Sequence, residues 1–124
     1  MVLIAAASLV VLTMAEDGDL RLSAGMPQPA DDCAAAMEVV TQVIGAAGTR
    51  VVAARCGDMA GLRLSPFIHG APPEAETHRF RIRLPRAGGF QLEPLAPDAP
   101  CEAQPDAAEP VLCARSSQFV LRGQ

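Results

Sequence analysis

Lysine, tryptophan and tyrosine are absent from this 124-residue chain, and phenylalanine occurs only four times. Arginine alone supplies the ten basic residues; against fourteen acids it leaves a formal net charge of −4. An acidic chain without stacking aromatics is not expected to bind nucleic acid, which calls for a basic surface and flat platforms for the bases. No Cys-x-x-Cys pair occurs, which excludes a thioredoxin-like redox motif. The close ligand pairs of a structural zinc site are missing as well. There is no Gly-x-Ser-x-Gly elbow, no Gly-rich phosphate loop and no His-Glu-x-x-His pair, so Ser65, Ser116 and Ser117 stand outside any recognisable hydrolytic motif. A non-catalytic protein without a cofactor is the expectation.

Long apolar runs are also lacking, with one exception. Val2 to Ala15 carries no charge, and Glu16, Asp17 and Asp19 follow at once. Such a run is short of the ~20 residues of a membrane span but suits the core of an export signal. Thr13-Met14-Ala15 offers a small-x-small cleavage site, although no Lys or Arg precedes the core. The competing reading is a buried strand or helix, because short apolar runs are ambiguous. On the export reading, residues 1–15 are a cleaved signal peptide, 16–30 an extended arm with a short strand at Leu20–Leu22, and 31–124 one small domain. No stable membrane span is expected once the leader is gone, and the protein is placed in the periplasm or outside the cell.

Cysteine is present in even number: Cys33, Cys56, Cys101 and Cys113. Four cysteines in a short exported chain read as two structural disulfides, and a small core profits from such staples. Three pairings are possible. The order of elements favours Cys33–Cys56, joining a helix to the strand that returns after it, and Cys101–Cys113, closing a Pro-rich loop. Each should contribute on the order of 3 kcal/mol through the unfolded chain.

A helix is expected from Asp31 or Asp32, whose side chains suit the first turn, to the glycines Gly45 and Gly48. Cys33, Met37, Val40, Ile44 and Ala47 mark its buried face. Arg50 to Arg55 reads as a strand and Leu62–Leu64 as the start of another. Residues 65–77, with Pro66, Gly70, Pro72 and Pro73, read as a loop. His78 to Leu84 alternates Phe80, Ile82 and Leu84 against Arg79, Arg81 and Arg83, the period of a half-buried strand. Pro85 to Gly89 turns the chain, and Phe90 to Glu93 returns. Leu84 opposite Phe90 would place Ile82 against Leu92 and Arg81 against Glu93, so apolar face and charge pair agree in one register. Residues 94–110 should be an exposed excursion, with further strands at Val111–Arg115 and Gln118–Leu121. The fold class is α+β: one amphipathic helix packed on a small antiparallel sheet of four or five strands, stapled by two disulfides.

Arg79, Arg81 and Arg83, with Arg86 in the turn, form the one concentrated charge feature. On a strand they make a cationic stripe suited to an acidic or anionic partner, or simply a solvated face that discourages edge pairing. His69 and His78 flank the 65–77 loop, with Glu74 and Glu76 between them, at a spacing that matches no strong metal motif. The functional expectation is a small exported, non-catalytic binding or interaction protein of the cell envelope, an inhibitor or accessory factor, contacting an unidentified protein or anionic partner through these arginines or through its Pro-rich loops, Ser65–Thr77 and the segment around Cys101. The alternative is a small-ligand or metal-binding protein using His69 and His78.

Overall fold

A computed structural model describes residues 6–68 and 71–121. Seven strands and one helix follow in the order β1 (Ala6–Met14), β2 (Leu20–Ala24), β3 (Gln28–Pro29), α1 (Ala30–Ala46), β4 (Val51–Gly57), β5 (His78–Arg83), β6 (Gln91–Leu95) and β7 (Val111–Ser116), with a 3-10 turn at Pro73–Ala75. The class is α+β, with one helix packed on the sheet. The sheet is larger than the four or five strands expected and is mixed, because β2 and β7 run parallel while the other pairings are antiparallel. Two segments account for the difference, and both lie before residue 30.

The first is the apolar run expected to be a leader core. Its described part, Ala6–Met14, forms β1, paired with β4 along one edge and with β2 and β3 along the other. Leu9, Val10, Val11 and Leu12 are all buried, so both faces of this strand are covered. A strand buried on both faces reads as an unbroken apolar run, which is why composition alone gave no sign of its alternation. Cleavage after Ala15 would remove the strand that joins β4 to the rest of the sheet. The second is the expected arm, 16–30, which is integrated as β2 and β3.

Side-chain parity along β1 divides the interior into two. Val10 and Leu12 join Leu22, Ala24, Phe80, Ile82, Leu84, Phe90, Leu112 and Ala114 in the larger core, against which Met59, Leu64 and Val120 also pack. A short ribbon closes over it: Leu64 bridges Val120, Ser65 N–H donates to the Phe119 carbonyl, and Leu121 N–H to that of Arg63. The expected strands at 62–64 and 118–121 are reduced to this ribbon. Leu9 and Val11 point the other way, into a smaller cluster with Cys33, Met37, Val40 and Ile44 of α1. Fully burying each large side chain is worth ~1.5–3 kcal/mol, so the larger core dominates stability.

The helix begins one or two residues early. Pro29 occupies the N-cap position with no side-chain capping bond, and Asp31 and Asp32 lie inside the first turn, where their charge favours the helix dipole. Gly48, at φ 89°, adopts the left-handed conformation that ends the helix. Ala47, expected on the buried face, is exposed beyond the last turn.

The β5–β6 register is the expected one, with Arg81 opposite Glu93 and Ile82 opposite Leu92. Both disulfides join the expected partners, Cys33–Cys56 and Cys101–Cys113, with Cα atoms 6.1 and 6.2 Å apart. No cysteine is free. Two disulfides point to an oxidising compartment. No helix among the described residues is long and apolar enough to cross a membrane.

Candidate functional site

The arginine stripe exists, but it extends further than the sequence pattern indicated. Pairing across the sheet sets Val51, Thr13, Arg21, Arg115, Arg79 and Leu95 in one row on the helix-bearing face. The next rows along β5 add Arg81, between Glu93 and Cys113, and Arg83, between Gln91 and Val111. Five arginines from three strands therefore share a face. Helix α1 covers only the β1 and β4 end of it.

Nearly every one of these arginines ties down a loop. Arg21 Nε donates to Glu76 Oε1 at 2.8 Å, anchoring the stretch before β5. Arg115 Nη2 pairs with Asp17 at 2.9 Å and Asp19 at 3.5 Å, anchoring the β1–β2 turn. The Asp17 carboxyl is held below its ordinary pKa, first by the Asp19 backbone N–H and then by the Arg115 guanidinium. Arg79 Nη1 faces the carbonyls of Ala96, Pro97 and Ala99 at 3.2, 3.1 and 2.6 Å. Arg81 donates to Glu93 Oε1 at 2.9 Å and to the Pro100 carbonyl at 3.3 Å. The Cys101–Cys113 bond then fixes the next residue to β7. The Pro-rich excursion is thus strapped to the sheet rather than free, although most of its residues remain exposed. A guanidinium presents five donors in a rigid fork, which suits it to gathering carbonyls that have no strand partner.

Arg83 is different. It is exposed at the end of the stripe, and no ion pair or hydrogen bond engages its guanidinium among the described residues. Gln91 lies beside it on β6. On its other side Val111 pairs with Gln104 through two backbone hydrogen bonds of 2.7 and 3.1 Å, which bring Gln104 into the same row. Arg83, Gln91 and Gln104, with Arg81, Glu93 and Glu102, line an open trough of about 640 Å³ whose wall is Pro100. Arg86 stands apart in the β5–β6 turn; its backbone N–H, not its side chain, donates to Glu109. The four arginines singled out in sequence are placed differently: Arg79 and Arg81 hold the excursion, Arg83 lines the trough, and Arg86 is exposed in the turn.

Ser65, Ser116 and His78 are engaged locally, whereas Ser117 lines the concavity beside α1. Ser65 Oγ accepts the Phe119 N–H, and Ser116 Oγ accepts the Gln118 N–H. Gln118, 1% exposed, uses its amide on both backbone groups of Ala24 and on the Ser65 carbonyl. The His78 ring lies 5.8 Å from that of Phe119. His69 lies outside the described residues, and among these no group of three or more His, Cys, Asp or Glu side chains is placed to hold a metal ion.

A second concavity borders the Ser65–Thr77 loop, one of the contact surfaces expected from the sequence. It runs between α1 and the side formed by Phe67, Ile68, Ala71 and Glu76, over β1 and β2, and also measures about 640 Å³. Its signal was the exposed pair Val39 and Val43, one helical turn apart and off the α1 stripe that packs on the sheet. Comparison of the chain with protein-family models, curated proteins and solved structures gives no match.

Proposed function

We propose that this protein is a non-catalytic interaction module of an oxidising compartment, and that the trough beside Arg83 receives an extended segment of a partner protein bearing an acidic side chain. The observation that carries this reading is the unpaired Arg83 guanidinium, flanked by two carboxamides in one cross-strand row. Arginine binds a carboxylate through two parallel hydrogen bonds. Gln91 and Gln104 each offer one acceptor and two donors, the complement of a peptide group. Arg81 and Glu93 already satisfy each other, and Glu102 offsets the charge of Arg83, so recognition rests on the two-pronged geometry of the Arg83 guanidinium rather than on net charge. The oxidising compartment rests on the disulfides. The non-catalytic reading draws on the local engagement of Ser65 and Ser116 in backbone hydrogen bonds and of His78 against Phe119.

A fluorescein-labelled peptide of alternating Glu and Ala, with a Gln-for-Glu counterpart, tests the proposal. The acidic peptide should bind saturably, weaken with added salt, and lose at least ten-fold in affinity to Arg83→Gln. Equal binding of the Gln peptide, or undiminished binding by Arg83→Gln, would overturn it.

A further inference from the structure

We propose that the groove between α1 and the described residues Phe67, Ile68, Ala71 and Glu76 is a binding site for a free, single-chain amphiphile with an uncharged, hydroxyl-bearing head, such as a monoacylglycerol. The site is separate from the Arg83 trough, and the inference does not depend on that reading.

Polarity changes along the groove in one direction. The helix-facing side chains of β1 are Leu9, Val11 and Thr13, in that order. Helix α1 runs the same way as β1, because it follows β3, which pairs with Ala6 and Ala7, and leads to β4, whose Val51 pairs with Thr13. Val39 therefore stands nearer the apolar end and Val43 nearer the polar end. They are 60% and 63% exposed, although they flank the packed stripe of the helix. Ile68, 66% exposed, lies on the opposite wall. Three large aliphatic side chains left open around one concavity are more than scattered surface residues. Its volume falls within the usual range of small-molecule sites.

The head-group end is defined by Thr13, Thr49, Arg21 and Glu76. The 2.8 Å pair between Arg21 and Glu76 cancels the two charges, so neither a carboxylate nor an ammonium head gains a net attraction. Both partners keep hydrogen-bonding capacity, because only Nε of Arg21 and one oxygen of Glu76 are used. A hydroxyl, which donates and accepts, matches that pair and the two threonines. Burial of each additional methylene at the apolar end should tighten binding roughly three- to four-fold until the groove is full.

The test is calorimetric titration of the full chain with C8, C10 and C12 monoacylglycerols below their critical micelle concentrations. Dodecanoate, dodecylamine and neutral phospholipid vesicles serve as comparison ligands. One-to-one binding that strengthens with chain length is expected, with both charged heads weaker and no association with vesicles. Val43→Asp should weaken binding at least ten-fold without lowering the melting temperature, since Val43 is exposed, and Val43→Ile should retain it. Any of four results would overturn the proposal: no saturable binding, equal affinity in Val43→Asp, preference for a charged head, or vesicle binding. Self-association that Val43→Asp abolishes would assign the groove to a second copy of the chain instead.

Discussion

One face of one sheet is covered in two ways. Over β1 and β4, helix α1 lays Met37, Val40 and Ile44 on Leu9 and Val11, and Cys33–Cys56 staples helix to strand. Over β5, β6 and β7 the described residues form no second helix. A Pro-rich chain is held there by arginine donors reaching its carbonyls and by Cys101–Cys113. The first cover is apolar and non-directional, so it tolerates small shifts and leaves Val39 and Val43 uncovered beside it. The second depends on the position of individual hydrogen bonds, and each arginine used as a strap is withdrawn from binding. Four of the five arginines on this face are thus engaged within the molecule, and Arg83 is the one without a side-chain partner among the described residues.

The comparison can be broken from either side, most strongly at the disulfides. Replacing Cys33 and Cys56 together by alanine should cost about 3.4 kcal/mol in the chain-entropy relation, and replacing Cys101 and Cys113 about 2.8 kcal/mol, since the bridges span 23 and 12 residues. Urea denaturation measures both. Hydrogen exchange should rise in α1 for the first pair and in residues 96–104 for the second. Equal exchange in both segments would show that the two covers are not independent.

Gly57→Ala probes the place where the two halves meet. A Cβ there would lie 2.8 Å from the Phe90 ring and 3.1 Å from Gly89 Cα, and Arg55 Nη1 binds the Pro85 and Gly89 carbonyls just beside it. The β5–β6 turn must move or the ring must leave the core, at a cost of about 1–3 kcal/mol. Thermal unfolding gives the value, and a neutral substitution would contradict this close approach. Ser8→Ala should do the reverse. The Ser8 hydroxyl is 1% exposed and without a hydrogen-bond partner among the described residues, so removing it should be neutral or stabilising by up to about 1 kcal/mol.

The smallest effect belongs to Asp17. Its folded pKa lies below the ordinary carboxylate value, so the ionised form stabilises the fold above the unfolded pKa of about 3.9. That contribution is lost as pH falls through the lower folded pKa, in a window below about pH 4. Because Asp17 is exposed, the loss should be slight, and Asp17→Asn should flatten it. Carbon-13 titration of the carboxyl reads the shift directly, and an ordinary value would contradict the Asp19 N–H bond first and the Arg115 contact with it.

What was legible in the sequence follows the same division. The β5–β6 hairpin showed because its alternation, turn and charge pair agree in a single register, and each of these is a local property. The disulfide pairing followed from the order of elements. By contrast, β1 offered no alternation, because Leu9 and Val11 face the helix while Val10 and Leu12 face the larger core. A strand apolar on both sides resembles an export core in composition and length. The row Arg21–Arg115–Arg79 depends on the parallel pairing of β2 with β7, a contact between residues far apart in the chain. Leu20-Arg21-Leu22 and Ala114-Arg115-Ser116 each carried an outward arginine, but only topology places them side by side. The carbonyl acceptors of Ala96, Pro97 and Ala99 leave no mark on side-chain chemistry, so the strapping of the excursion could not be read at all.

The division of labour along the stripe is tested most directly by comparing the melting temperatures of Arg79→Gln and Arg83→Gln. Arg79→Gln should lower the midpoint by about 5 °C, the equivalent of roughly 1 kcal/mol, because the Ala96, Pro97 and Ala99 carbonyls lose their shared donor. Arg83→Gln should leave it unchanged within about 1 °C, as expected for a surface substitution that removes no contact. Equal shifts in the two variants, or a larger one for Arg83→Gln, would contradict the account.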